Sequence, residues 1–139
     1  MKLRRIIPYG PSAWAHAPGH PLYVHRGQTV GRWDNAPAYA TWYLSDSAAG
    51  AAGEAFGNLA TWRQSMFEPP FLPIARRALG VFELDPGTRR LDLDNAGELA
   101  SRDARPSQVV IRNTAFTQPF AVRLRSALRL RSATGPGGR

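Results

Sequence analysis

The stretch GRWDNAPAYATWYLSDSAAGAAGEAFG, residues 31–57, decides the expected fold of the chain. Within it, residues 39–44 are aromatic and aliphatic and predict a buried strand. Residues 45–47 are Ser, Asp and Ser, side chains that cap helix N-termini, so a helix is predicted to begin directly after them. Together with the strand and helix patterns elsewhere in the chain, this predicts an α/β or α+β domain.

The predicted helix has one small apolar face, which is expected to point at the core. Its members follow helical spacing and are Ala48, Ala52, Ala55, Phe56 and Leu59. Two glycines, Gly50 and Gly53, weaken such a helix by about 1 kcal/mol each relative to alanine. They are explained if something large packs closely against this part of the helix.

The same stretch carries a cation, Arg32, an aromatic side chain, Tyr43, and a lone carboxylate, Glu54. Glu54 lies at the edge of the predicted apolar face, where its side chain can reach a cleft. Guanidinium groups hold phosphates through paired N–H donors, and a carboxylate stabilises the positive charge that develops on a ribose when its glycosidic bond breaks. The combination predicts an enzyme that binds a dinucleotide and cleaves it.

Working outward, the rest of the chain mixes the two kinds of element. Prolines and glycines predict that residues 1–30 are loop, and three prolines close together predict a loop over residues 67–73. The last residues, 132–139, are rich in glycine and proline and predict a disordered tail. Strands are predicted over 77–84, 90–93 and 108–112, and helical structure over 96–101 and 117–130, with Pro119 in a first turn.

Composition limits the class of protein. A length of 139 residues with 43% hydrophobic residues predicts one globular domain with a single core. The chain has no cysteine, which excludes disulfides and thiolate metal sites and fits a reducing cytoplasm. No apolar run is long enough for a membrane span, and the N-terminal residues lack the apolar core of a signal peptide. We therefore expect a cytoplasmic protein without membrane contact.

The net charge of +8 comes almost wholly from arginine and favours polyanionic ligands, from a dinucleotide to nucleic acid. His16 and His20 have the spacing of a helical metal pair, but Pro18 and Gly19 between them exclude that helix. No metal site is predicted.

Four segments occur in an order that resembles a known family. They are RRIIPYGP, PGHPLYVHRGQTVGRWDN, WYLSDSAAGAAGEAFG and RPSQVVIRNTAFTQPFA. Together they resemble the RES domain, the toxin half of bacterial toxin–antitoxin pairs, over roughly residues 3–124. A RES-like domain is therefore expected over residues 1–131, with a C-terminal part that departs from the family pattern as an altered or truncated end would. The resemblance implies an ADP-ribosyltransferase-like split β-sheet flanked by helices.

The resemblance also implies an activity and partners. NAD+ would be the substrate, cleaved at its nicotinamide–ribose bond without a metal. The acceptor would be inorganic phosphate, water or a protein that becomes ADP-ribosylated. A cognate helix-turn-helix antitoxin would block the active site and provide the protein's link to nucleic acid. By match to the family, Glu54, Tyr43 and Arg32 would be catalytic, and Arg5, Arg32, Tyr43 and Ser132 would bind NAD+.

Two other functions remain open at this point. An inactive RES remnant that only binds an antitoxin would fit the altered C-terminus. A basic nucleic-acid-binding module would fit the segment that carries Arg123, Arg125, Arg129 and Arg131. Single residues also have plain structural interpretations: Arg32 can stack on Trp33, and Glu54 can be a solvated helix side chain.

Overall fold

The computed structural model describes residues 1–25 and 27–130, without the side chains of residues 127–130. Ser132 and the predicted tail over 132–139 therefore lie outside the described residues. The structure is mixed α/β, with one two-stranded antiparallel sheet and several helices. None of the helices within the described ranges combines the length and the apolar content needed to cross a bilayer.

The chain divides into two units, and each unit is built from two separate segments. The first unit contains Met1–His25 and Trp42–Gly87. The second contains Arg26–Thr41 and Thr88–Arg139.

The sheet lies in the first unit. Strand β1, Lys2–Tyr9, pairs antiparallel with strand β2, Arg76–Glu83, in a register that sets Arg5 opposite Gly80. The loop predicted over residues 1–30 is therefore wrong at its start, because the prolines and glycines that suggested it begin only at Pro8. The apolar residues before Pro8 are free to pair, and Ile7 is buried against the rest of the unit.

Helix α1, Ala48–Phe56, packs against β1. It begins where predicted, because the Ser47 hydroxyl accepts a hydrogen bond from the backbone N–H of Gly50 at 3.0 Å. The helix ends at Phe56, so Leu59 lies beyond it and is exposed. The buried face consists of Ala51 and Phe56, with Ala52 and Ala55 half-buried, whereas the predicted member Ala48 is exposed.

Several other elements lie close to their predicted positions. Strand β2 matches the prediction over 77–84, and residues 68–73 form an irregular loop after a short 3₁₀ helix, Gln64–Phe67. In the second unit, helix α2, Ala96–Ala100, is capped by Asn95, whose side chain accepts from the N–H of Glu98 at 3.0 Å. These elements are confirmed because their signals are local.

Three predicted strands are wrong. Residues 40–44 are irregular: the Thr41 backbone bonds to the Gln28 side chain in the second unit, whereas Trp42 packs against Phe82 in the first. Residues 90–93 are also irregular: Leu91 and Leu93 pack against the second unit's core without a pairing partner. The whole strand predicted over 108–112 gives way to the end of helix α3, Pro106–Val109, and to irregular backbone after it.

Helix α4, Thr114–Leu130, begins earlier than predicted. Asn113 holds its start, since the Asn113 side-chain oxygen accepts from the N–H of Ala115 at 2.9 Å. Pro119 consequently lies inside the helix rather than in its first turn, where its ring removes one backbone hydrogen bond. Phe120 and Leu124 of this helix form the second unit's core together with Leu99 and Ala104, and Trp33 packs partly buried beside them.

The two glycines of α1 differ in their surroundings, so alanine substitutions at the two positions are expected to change the free energy of unfolding in opposite directions. A Cβ at position 50 would collide with the Ser45 hydroxyl oxygen, whereas a Cβ at position 53 meets nothing within 4 Å. We expect Gly53→Ala to raise the free energy of unfolding by about 0.5–1 kcal/mol, because alanine is the better helix former. Gly50→Ala should lower it. Urea denaturation measures both, and shifts of the same sign in the two variants would contradict this packing.

Candidate functional site

A cleft of about 280 Å³ in the first unit brings together three of the predicted site residues. Arg5 enters from β1, Tyr43 from the segment before α1, and Glu54 from α1 itself. The remaining lining residues come from β1, β2, α1 and the loops beside them: Ile6, Pro8, Ser45, Ala51, Ala55, Phe71 and Arg77.

The segment that carries Tyr43 is fastened to β1 by its backbone. The N–H of Arg4 donates to the carbonyl of Ser45 at 2.6 Å, and the N–H of Ser45 donates back to the carbonyl of Arg4 at 2.9 Å. The Arg4 guanidinium also donates to the carbonyl of Asp46. Because Ser47 then caps α1, the same few residues hold Tyr43 at the strand and set the direction in which Glu54 leaves the helix.

The charged groups of the cleft have no polar partner in the described part of the protein. Within residues 1–25 and 27–130, neither the Glu54 carboxylate nor the guanidinium groups of Arg5 and Arg77 make a hydrogen bond or an ion pair. Arg5 lies over the Trp42 ring, with 5.9 Å between its Cζ atom and the ring centroid. These groups are therefore available to a ligand, and two cations facing one carboxylate favour an anionic one.

Burial lowers the pKa of the Arg5 guanidinium from its ordinary value. Arginine nevertheless stays protonated near neutral pH. Arg5 therefore presents a poorly hydrated positive charge, which binds an anion more strongly than a fully solvated cation does.

A second cavity, of about 550 Å³, shares Arg5, Pro8 and Phe71 with the cleft. Its other walls come from β1, from the loop after β1 and from the residue next to Phe71: Ile7, Pro18, His20, Tyr23, His25 and Leu72. The N–H of Gly10 donates to the carbonyl of Gly19 at 2.9 Å and holds this loop to the end of β1. The two cavities adjoin, and Arg5 stands at their shared wall.

Arg32 belongs to the second unit. Its guanidinium lies over the ring of the neighbouring Trp33, with 5.1 Å from Cζ to the ring centroid. This is the stacking that the sequence allowed, and it gives Arg32 a structural contact of its own. A role for Arg32 in ligand binding stays a prediction, as does the role of Ser132, which lies outside the described residues.

Sequence reasoning missed Arg77 and the second cavity. Arg77 lies in a strand that was predicted, but its presence in the same cleft as Glu54 depends on the register between β1 and β2. No local signal carries that register. The proline-rich loop that lines the second cavity was recognised as a loop and carried part of the family resemblance, but neither signal indicated a cavity there.

No group of three or more His, Asp or Glu side chains in the described part of the chain is placed to hold a metal ion. The polar side chains that line the cleft are those of Arg5, Tyr43, Ser45, Glu54 and Arg77.

A family model described as the RES domain matches residues 2–139. The match spans nearly the whole chain, which therefore belongs to the RES domain family. This family is associated with toxin–antitoxin systems. Comparison of the chain with curated proteins and with solved structures gives no match.

Proposed function

We propose that the cleft of the first unit binds NAD+ and cleaves its nicotinamide–ribose bond, and that the protein is the toxin of a toxin–antitoxin pair. Membership of the RES family supports this proposal. The observation that carries it is the meeting of Arg5, Tyr43 and Glu54 in one cleft, with the Glu54 carboxylate unpaired within the described ranges.

The reaction suits a site with a single carboxylate. When the bond between the ribose C1′ atom and the nicotinamide nitrogen breaks, both electrons go to nitrogen and nicotinamide leaves as a neutral molecule. No general acid is needed, because the leaving group was already cationic. The ribose acquires oxocarbenium character, and Glu54 would stabilise that charge while accepting hydrogen bonds from the ribose hydroxyls. An oxygen of the acceptor then bonds to C1′. A water or hydroxyl oxygen loses its proton to solvent, whereas a phosphate oxyanion has no proton to lose.

The two adjoining cavities suit the two halves of a dinucleotide. In this arrangement the nicotinamide ribose occupies the cleft beside Glu54, with Tyr43 stacking on the nicotinamide or packing against the ribose. Arg5, at the shared wall, binds the pyrophosphate through its paired N–H donors. The larger cavity, with Tyr23 and His20 in its walls, receives the adenosine half.

The finer features expected from the family belong to the same proposal. They are the ADP-ribosyltransferase-like split sheet, a contribution of Arg32 and Ser132 to NAD+ binding, and neutralisation by a helix-turn-helix antitoxin that covers the cleft. Growth arrest would follow from loss of cellular NAD+.

The nucleic-acid-binding alternative receives no support from the described arginines of α4. Arg123 donates to the carbonyl of Asp103 at 3.2 Å and lies over the Phe120 ring. Arg125 donates to the carbonyl of Ala38 at 2.8 Å and lies over the Tyr39 ring. Both guanidinium groups thus support the second unit rather than forming an unoccupied basic face.

Mass spectrometry of reaction mixtures tests the proposal. Purified protein incubated with NAD+ is expected to release nicotinamide, whereas heat-unfolded protein should not. The second product identifies the acceptor: a phosphorylated ADP-ribose when inorganic phosphate is present, ADP-ribose with water, or a mass increase on a protein. NAD+ that stays intact with folded protein, with and without phosphate, would contradict the proposal, and tight antitoxin binding in that case would favour the inactive remnant.

A further inference from the structure

Arg77 is one of the two cations that line the cleft, and the proposed reaction leaves it without a role. It projects from β2, and its Nε atom is buried without a hydrogen-bond partner. Its other guanidinium nitrogens make no hydrogen bond or ion pair within residues 1–25 and 27–130. Buried polar groups are normally satisfied, so the Nε atom leaves Arg77 incompletely satisfied by the described protein, and the two Nη groups are the donors that remain for a ligand in the cleft.

The position of Arg77 is held by packing rather than by charge. Its Cζ atom lies 5.6 Å from the centroid of the Phe56 ring. Phe56 is itself buried and is contacted edge-on by the rings of Trp62 and Phe67. A cation stacked on a fixed ring keeps its edge free for hydrogen bonds, and little side-chain freedom remains to be lost on binding.

The charge of the cleft identifies the class of ligand group. Arg5 and Arg77 face Glu54 as the single carboxylate in the lining, so the walls carry an excess positive charge. The guanidinium edge matches the paired oxygens of a phosphate, and it binds them bidentately. Arg5 lines both the cleft and the second cavity, whereas Arg77 lines the cleft and not the second cavity.

We propose that Arg77 binds a phosphate group within the cleft and is the second anion-binding residue of the site. The inference rests on the proposed function only in naming two sources of that group: the pyrophosphate of NAD+, or free inorganic phosphate that acts as acceptor. Both present the same chemistry to the guanidinium. Which source applies is decided by the arms of the experiment.

The test compares Arg77→Met with Arg76→Met in ligand binding by calorimetry. Methionine keeps an apolar stem over Phe56 and removes the charge. Arg76 is the matched control, because neighbouring residues of a strand point to opposite faces and its guanidinium already donates to the carbonyl of Ala75 at 3.0 Å. Inorganic phosphate, pyrophosphate and ADP-ribose are the ligands, and circular dichroism checks that each variant is folded.

We expect Arg77→Met to weaken binding about 10- to 100-fold, the usual loss for a charge-assisted hydrogen-bonded pair, and Arg76→Met to change it by less than about twofold. Loss confined to inorganic phosphate assigns the acceptor, and loss for pyrophosphate and ADP-ribose assigns the dinucleotide. Arg77→Lys keeps the charge without the fork and should give an intermediate loss. It serves as the deciding variant if Arg77→Met does not fold.

Equal binding by wild type and Arg77→Met, or no binding of any of the three ligands to wild type, would overturn the inference. The proposed function fails separately. If wild type binds phosphate compounds through Arg77 but leaves NAD+ intact, the anion site stands and the cleavage reaction does not.

Discussion

Glu54→Gln is expected to lower kcat/KM for NAD+ by about 100- to 1,000-fold and to leave the fold unchanged. The loss is large because the amide keeps the shape of the side chain but removes the negative charge that stabilises the oxocarbenium ion. Single electrostatic groups of this kind contribute about 10²–10³-fold to the rate in other enzymes. The fold should survive because Glu54 is exposed, and within residues 1–25 and 27–130 its carboxylate has no partner to lose.

The matched control for this variant is Glu68→Gln. Glu68 is an exposed glutamate of the same unit and lines neither of the two cavities, so the same change of charge should leave kcat/KM within about twofold of wild type. Nicotinamide release followed by chromatography gives the rates, and thermal unfolding checks the folds. Full activity of folded Glu54→Gln would remove Glu54 from the mechanism.

Leu99→Ala should have the largest effect on stability, lowering the free energy of unfolding by about 2–5 kcal/mol. Leu99 is fully buried, at 0% exposure, and packs with Ala104, Phe120 and Leu124 in the second unit. Truncation loses the transfer free energy of the removed carbons and leaves a cavity that the surrounding side chains fill only in part. Urea denaturation at constant temperature measures the change.

Leu59→Ala provides the comparison, because Leu59 is 41% exposed and lies beyond the end of α1. Truncating the Leu59 side chain should lower the free energy of unfolding by less than about 1 kcal/mol. Similar losses for the two leucine variants would show that the core of the second unit does not centre on Leu99.

The parts of the fold that the sequence predicted correctly are those governed by neighbouring residues. Ser47, one of the predicted cap residues, caps α1, and the helical structure predicted over 96–101 begins at Ala96, directly after the cap residue Asn95 that the structure shows. The alternation of β2 likewise needed no knowledge of its partner. Such signals lie within a few residues of the element that they define.

The wrong secondary-structure predictions lie where contacts with distant parts of the chain determine the local structure. Residues 39–44 have the composition of a strand, but the two units divide inside that segment. The apolar run after Gln108 also has strand composition, yet Pro106 stands at the first position of a helix and the Gln108 side chain accepts from the N–H of Arg105 at 2.8 Å. There the helix-start pattern outweighed the β-branched side chains.

The candidate site shows the same division. Arg5, Tyr43 and Glu54 were named from the sequence, and the structure places them in one cleft. Arg77 could not be named, because it reaches that cleft only through the pairing of β1 with β2. Arg32 was grouped with Tyr43 and Glu54 because all three lie within residues 31–57, but the structure assigns Arg32 to the second unit, where it stacks on Trp33.

A crystal structure of the Glu54→Gln variant with NAD+ tests most directly whether the cleft holds the nicotinamide ribose against residue 54. We expect the ribose hydroxyls within about 3 Å of the residue 54 side chain, a phosphate at the Arg5 guanidinium and the adenosine in the second cavity. NAD+ bound outside both cavities, or bound with its nicotinamide ribose away from residue 54, would contradict the account.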